Sequence, residues 1–179
     1  MEYQKMDQNF INACNKLKLL NEQSKGKPIE LENGEIYIFR KLRNYSDNEI
    51  LSLEKNNNYS WPTEFKYFLK EVGIGEFYMD EYNLGIEFIP LDKIVDNQSE
   101  IFENPSDNPF PKLIIVSLLS GRGDFGGFNL DIQKSNNFGI FSGEEPPEEW
   151  INPEHTLVDF SEWLIELVIS DGENDMPPY

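Results

Sequence analysis

The residues Gly121-Arg122-Gly123-Asp124-Phe125-Gly126 spell the letters of a dinucleotide-binding fingerprint and follow an apolar run at 113–119. That chemistry requires a helix to open at the last glycine, so that its N-terminal amides meet the pyrophosphate. Here Gly126-Gly127 lead into Phe128-Asn129-Leu130-Asp131-Ile132, whose apolar period is two. A strand is therefore expected, and the glycines read as a turn between strands. No Gly-Lys-Ser/Thr run forms a Walker loop. His155 and Cys14 are the single His and the single Cys, and without closely spaced partners they do not make up a zinc ligand set. A Ser-His-Asp or Cys-His site would have to use His155, and no Gly-x-Ser-x-Gly elbow presents a nucleophile. His155 lies in a loop ahead of the last helix, where a surface or capping role is expected. Cys14 falls in an apolar helical pattern, which suits a buried structural thiol.

Carboxylates are abundant, and none is singled out. A glycosidase-like pair can be drawn many ways among 33 Asp and Glu. Asp124 in the glycine turn and Asp131 at an inter-strand position are the acids best held in place. Turn amides for the first, and capping or solvent for the second, are the expected roles. A calcium site from the two is the lesser reading, because the ligand spacing of an EF-hand loop is missing. The expectation is no catalytic residue, no cofactor and no metal.

The acids instead define an electrostatic character. With 33 Asp and Glu against 15 Lys and Arg, the formal charge of the 179 residues is -18. Such a surface repels phosphate backbones and anionic lipid, so neither nucleic acid nor membrane is an expected partner. No apolar run approaches the ~20 residues of a membrane helix, and the N-terminus lacks the features of a secretory signal, so a cytoplasmic protein is expected. Residues 1–45 net +2 and residues 46–179 net -20; from Ser142 onward eleven acids occur with no Lys or Arg. A solvated loop is one reading of the run Glu144-Glu145-Pro146-Pro147-Glu148-Glu149, and a docking surface for a basic partner is the sharper one.

The elements that would carry these groups follow from periodicity. Phe10, Cys14, Leu17 and Leu20 mark a helix over 7–22, stopped by Lys25-Gly26-Lys27-Pro28. Ile29 and Leu31 should face Ile36 and Ile38 across an Asn33-Gly34 hairpin turn. Ser46 and Glu49 form a capping box for a helix over 47–56. Pro62 opens a helix with Phe65, Phe68, Leu69 and Val72 on one face, ending at Gly73. A second hairpin turns at 81–83, a helix spans 91–102 and the run 113–119 suits a strand buried on both faces. A meander through 128–132 and 139–141 follows, with a turn at Asn136-Asn137. The last helix carries Phe160, Trp163, Leu164, Leu167 and Val168, with Asp159 as a candidate cap. This order predicts an α+β single domain with a mainly antiparallel mixed sheet and helices packed against it.

Taken in order, these segments resemble the SUKH superfamily, which joins fungal cell-wall-synthesis regulators to many bacterial immunity proteins. The resemblance rests on Glu49 to Glu54, Trp61-Pro62-Thr63-Glu64-Phe65-Lys66-Tyr67-Phe68-Leu69 with Gly73, and Phe88-Ile89-Pro90-Leu91. It continues through the strand 113–119, Gly123-Asp124, Phe128 to Asp131, and Phe160, Trp163 and Leu164. Trp61 departs from the Leu more often found there. The resemblance covers residues 46–169 and implies a domain at 46–170, an N-terminal extension at 1–45 with helix and hairpin, and a flexible acidic tail at 171–179. It also implies a non-catalytic immunity protein that neutralises a cognate toxin, with a regulatory scaffold like the fungal members as the alternative. Because nuclease toxins are basic, the expected toxin partner is basic. Its expected binding residues are Glu76, Tyr78, Asp80, Glu81 and Tyr82, with Phe77 between them, and Glu144, Glu145, Glu148, Glu149 and Trp150, where acids and aromatics interleave. The oligomeric state is left open.

Overall fold

A computed structural model describes residues 6–102, 104, 106–131, 137–150 and 157–176. Local chemistry sets the ends of the early elements. Helix α1 (Gln8–Ser24) starts where the Asp7 carboxylate accepts from the Asn9 amide, and stops where Lys25 and Gly26 turn left-handed. In α2 (Asp47–Asn57) both halves of the Ser46/Glu49 capping box are formed. Helix α3 (Thr63–Glu71) follows Pro62 and ends ahead of Gly73, whose φ is +87°.

Among the described residues seven strands run in sequence order as one antiparallel sheet. They are β1 (Pro28–Glu30), β2 (Ile36–Arg43), β3 (Ile74–Met79), β4 (Gly85–Phe88), β5 (Leu113–Ser120), β6 (Asp124–Asn129) and β7 (Phe138–Phe141). The first hairpin forms with a different register from the expected one. Gly34 has positive φ but Asn33 does not, and the Leu31 carbonyl accepts from the Gly34 amide, so the loop is one residue longer than a two-residue turn. Ile29 then pairs with Tyr37 rather than with an isoleucine, Ile36 faces solvent and Phe39 enters the core. A one-residue change exchanges the faces of a strand.

The glycine-rich stretch is resolved as expected, as turn and strand. Gly121 to Gly123 connect β5 to β6, and Gly126-Gly127 lie within β6. A Cβ on Gly126 would stand 2.2 Å from Ser117 Oγ, so close strand packing accounts for that glycine. Strand β5 has its first five residues buried. One face of the sheet carries α1, α3 and α6 (Phe160–Ile169); α4 (Ile94–Ile101), entered through a 3-10 turn at 91–93, packs on β5. The single turn α5 (Pro147–Trp150), absent from the sequence reading, sets Trp150 against Phe102, Phe125 and Phe141.

The larger core is aromatic. The ring of Phe160 lies 5.2–6.4 Å from those of Phe10, Phe65, Phe68, Phe128, Phe138 and Trp163. Each such pair adds about 0.5–1.5 kcal/mol to simple area burial. Cys14 is fully buried, and burial pushes its thiol up to about 12, the nearby Glu71 acting in the same direction and Lys18 against it. Asp159 is the N-cap of α6 by position, although its side chain makes no cap bond. His155, Ile132 and Asn136 lie outside the described residues.

Candidate protein-binding interface

A meander of antiparallel neighbours sends the β1–β2, β3–β4 and β5–β6 turns, and the exit of β7, to one end of the sheet. Segment 171–176 joins them, because Arg122 forks onto Asp175 at 3.2 and 2.7 Å and Asn33 donates to Glu173 at 3.3 Å. Segments 31–35, 80–84, 121–124, 142–149 and 171–176 together hold twelve Asp and Glu against one basic residue, Arg122. Their convergence is felt by Tyr37. Burial pushes its phenol up, and Glu35, Glu173, Asp80 and Asp171, from three of these segments, push it further.

Arg122 organises this end. Besides Asp175 it reaches Asp124, Nε to Oδ2 at 3.5 Å, and it lines two clefts. One, of about 220 Å³, lies among Tyr37, Tyr78, Asp80, Ser120 and Asp175. The other, of about 410 Å³, has Phe102, Phe125 and Trp150 in its walls and Glu144 and Glu145 beside them. Its chemistry suits an aliphatic or aromatic stem with a cationic end.

The residues singled out from the sequence divide into three groups. Glu81, Tyr82, Glu144, Glu145, Glu148 and Glu149 are exposed at this end, with Tyr82 at 73%. Asp80 is half-buried and accepts from the Tyr82 and Leu84 amides, both at 2.8 Å, so it builds the turn that presents Glu81 and Tyr82. Glu76 lies on β3, paired to Arg40. Phe77, Tyr78 and Trp150 are interior: Tyr78 and Trp150 are each 3% exposed. Tyr78 has φ +53°, and its ring lies against Tyr37 and Phe39. Trp150 donates its indole N–H to the Ser142 carbonyl at 2.9 Å. Phe77 and Tyr78 support the surface from below, because β3 is buried on both faces, and Trp150, on α5, contributes to it only in the wall of the cleft.

Asp124 and Asp131 flank β6 at its two ends, about 20 Å apart along an extended strand. They cannot share an ion. Asp131 instead pairs with Lys112 at 3.2 Å. Among the described residues no group of three His, Cys, Asp or Glu is set to hold a metal, and no helix is long and apolar enough to cross a membrane. The expected flexible tail is docked from 171 to 176. Lys16 Nζ bonds Asp171 at 2.6 Å and the Val168 carbonyl at 3.2 Å, and Trp163 donates to the Asp175 carbonyl at 2.8 Å. The role of Arg122 is not legible locally because its bidentate partner, Asp175, is 53 residues away in sequence.

Residues 44–166 match the SMI1 / KNR4 family (SUKH-1). Immunity protein RhsIB of Dickeya dadantii (strain 3937) is 34% identical over 160 residues, 89% of this chain and 95% of that protein. That span exceeds what residues 44–179 could supply, so part of the N-terminal helix and hairpin region is shared with that relative as well. With its ordered motifs, its sheet and both matches in agreement, the chain belongs to the SMI1 / KNR4 family (SUKH-1).

Proposed function

We propose that this protein is an immunity protein, acting in the cytoplasm and without catalysis by forming a stoichiometric complex with a cognate toxin. The observation that carries the reading is the end-to-end similarity to an immunity protein. The acidic end of the sheet supplies a surface: twelve carboxylates around one arginine attract a basic toxin domain over long range and raise its association rate. Affinity then comes from a buried centre, for which the aromatic cleft beside Trp150 is the best-formed candidate at that end. In this reading residues 46–170 are the binding domain, and the N-terminal helix and hairpin brace it.

Affinity purification from the native cell identifies the partner. The expected result is a toxin that co-elutes in equimolar amount, is released by salt, and no longer arrests growth when this chain is co-expressed. Recovery of several unrelated host proteins and no toxin would favour the scaffold role. Turnover abolished by one carboxylate substitution would replace the binding mechanism with an enzymatic one.

A further inference from the structure

The opposite end of the sheet carries a cleft of about 570 Å³, between the α2–α3 connection, the start of α6 and the strand ends at 111–112 and 130–131. We propose that this cleft receives an extended peptide segment of a partner protein, held through its backbone amides. The proposal stands apart from the acidic surface and does not depend on it.

Buried polar atoms carry the argument. Among the described residues seven buried side-chain nitrogen and oxygen atoms have no hydrogen-bond partner, and Tyr59 Oη, Trp61 Nε1 and Asn137 Oδ1 belong to residues lining this one cleft. Trp61 is 2% exposed and Asn137 7%. Buried indole N–H groups normally find an acceptor, as those of Trp150 and Trp163 do in the Ser142 and Asp175 carbonyls. Three such atoms on residues lining one opening point to a partner supplied from outside. The first turns of α3 and α6 border the same cleft, and neither helix has a side-chain cap. Their leading N–H groups add further donors.

The lining decides the ligand class. Glu64, Asp131 and Asp159 outnumber Lys112, which is itself paired to Asp131, so a carboxylate or phosphate is repelled. A sugar ring needs an open aromatic face, and Trp61 is enclosed by Tyr59, Phe65 and Phe128. What fits is a group that accepts from an indole and helix amides, donates to Asn137 and lies along Pro62, Pro111 and Leu130. The peptide unit, one C=O with one N–H, is that group.

The test uses the full chain and no toxin. The three indole N–H signals in a nitrogen-15 NMR spectrum give one reporter per tryptophan, and Trp61→Phe identifies the one in the cleft. Titration with N-acetyl-alanyl-alanine methylamide is expected to move the Trp61 signal saturably, together with amides at 59–61, 63–64, 137 and 160–161. Acetate and phosphate at equal ionic strength leave them in place. Tyr59→Phe removes only an unpartnered hydroxyl, so it folds as the parent does and binds the peptide about threefold to tenfold more weakly. No saturable movement, the same movement with the anions, or full peptide affinity in Tyr59→Phe overturns the proposal. If Trp61→Phe does not fold, Tyr59→Phe with the backbone amides still decides it.

Discussion

The two ends of the sheet differ in how polarity is used. At the turn end, carboxylates stand at loop tips, and Arg122 reaches two of them. At the other end, cations and acids are paired, as in Lys112–Asp131 and Lys66–Glu54, while three buried polar atoms around a cleft are left without partners. Exposed charge acts at a distance and is weakened by salt; unpaired buried groups act only at contact and are indifferent to it. One end is suited to attracting a partner by charge and seating it in an aromatic cleft, the other to holding one through hydrogen bonds.

Both ends share one core, and the largest expected effect tests that. Phe160 touches six aromatic rings and also lines the cleft. Phe160→Ala should cost about 3–5 kcal/mol, read from urea unfolding. Fluorescence and backbone signals should report one transition. Separate transitions for the two ends would make them independent units and break the comparison at its base.

A smaller effect belongs to the turn end. Lys16→Met removes the partner of Asp171, whose side chain is 12% exposed, together with a bond to the Val168 carbonyl. A loss of about 1.5–3 kcal/mol is expected for charged hydrogen bonds of this kind. Hydrogen exchange should accelerate at 172–176 and not at 58–64. Equal acceleration at both sites would show that the tail braces the whole molecule.

Alkali should act on groups from both ends. Burial pushes the Tyr59 phenol up to about 12, with Glu54 adding to it; Tyr78 is pushed up by burial and by Asp171, and the Cys14 thiol rises as described. Each folded-state value lies above the unfolded one, so the folded chain keeps protons that the unfolded chain has released. Stability is therefore full below the ordinary values of ~8.5–10 and falls as pH rises through and above them. Tyr59→Phe should make the decline shallower and leave neutral-pH stability unchanged. A decline of unchanged slope would assign the alkaline sensitivity to Tyr78 and Cys14.

The two ends were also unequally legible in the sequence. The acidic end announces itself in composition, because Glu144 to Glu149 and Asp80-Glu81 are contiguous, and the meander collects them by alternation alone. The helices were legible for a similar reason: the Ser46/Glu49 box and the spacing of Phe65, Phe68 and Leu69 act within a turn or two. What escaped depended on distance or on a single residue. The extra residue in the 31–35 loop reversed the faces of β2, burial of β3 on both faces hid Tyr78, and Trp150 is buried by rings distant in sequence, among them Phe102 and Phe125. The cleft joins residues 58–64, 111–112, 130–131, 137 and 159–161, and no local pattern links them.

The smallest structural effect has the most direct bearing on how the acidic end works. Glu144 and Glu145 are exposed beside the aromatic cleft and share their end of the sheet with ten further acids. Replacing both by Gln removes mutual repulsion and touches no core contact, so unfolding stability should stay within about 0.5 kcal/mol of the parent and lean toward stabilisation. Association with the co-purified toxin should slow several-fold at low salt and match the parent at high salt, with dissociation little changed. A change in dissociation that persists at high salt would mean that these glutamates are buried in the complex. The turn end would then grip through its carboxylates as well as through its aromatic cleft, and charge at that end would no longer act only at a distance.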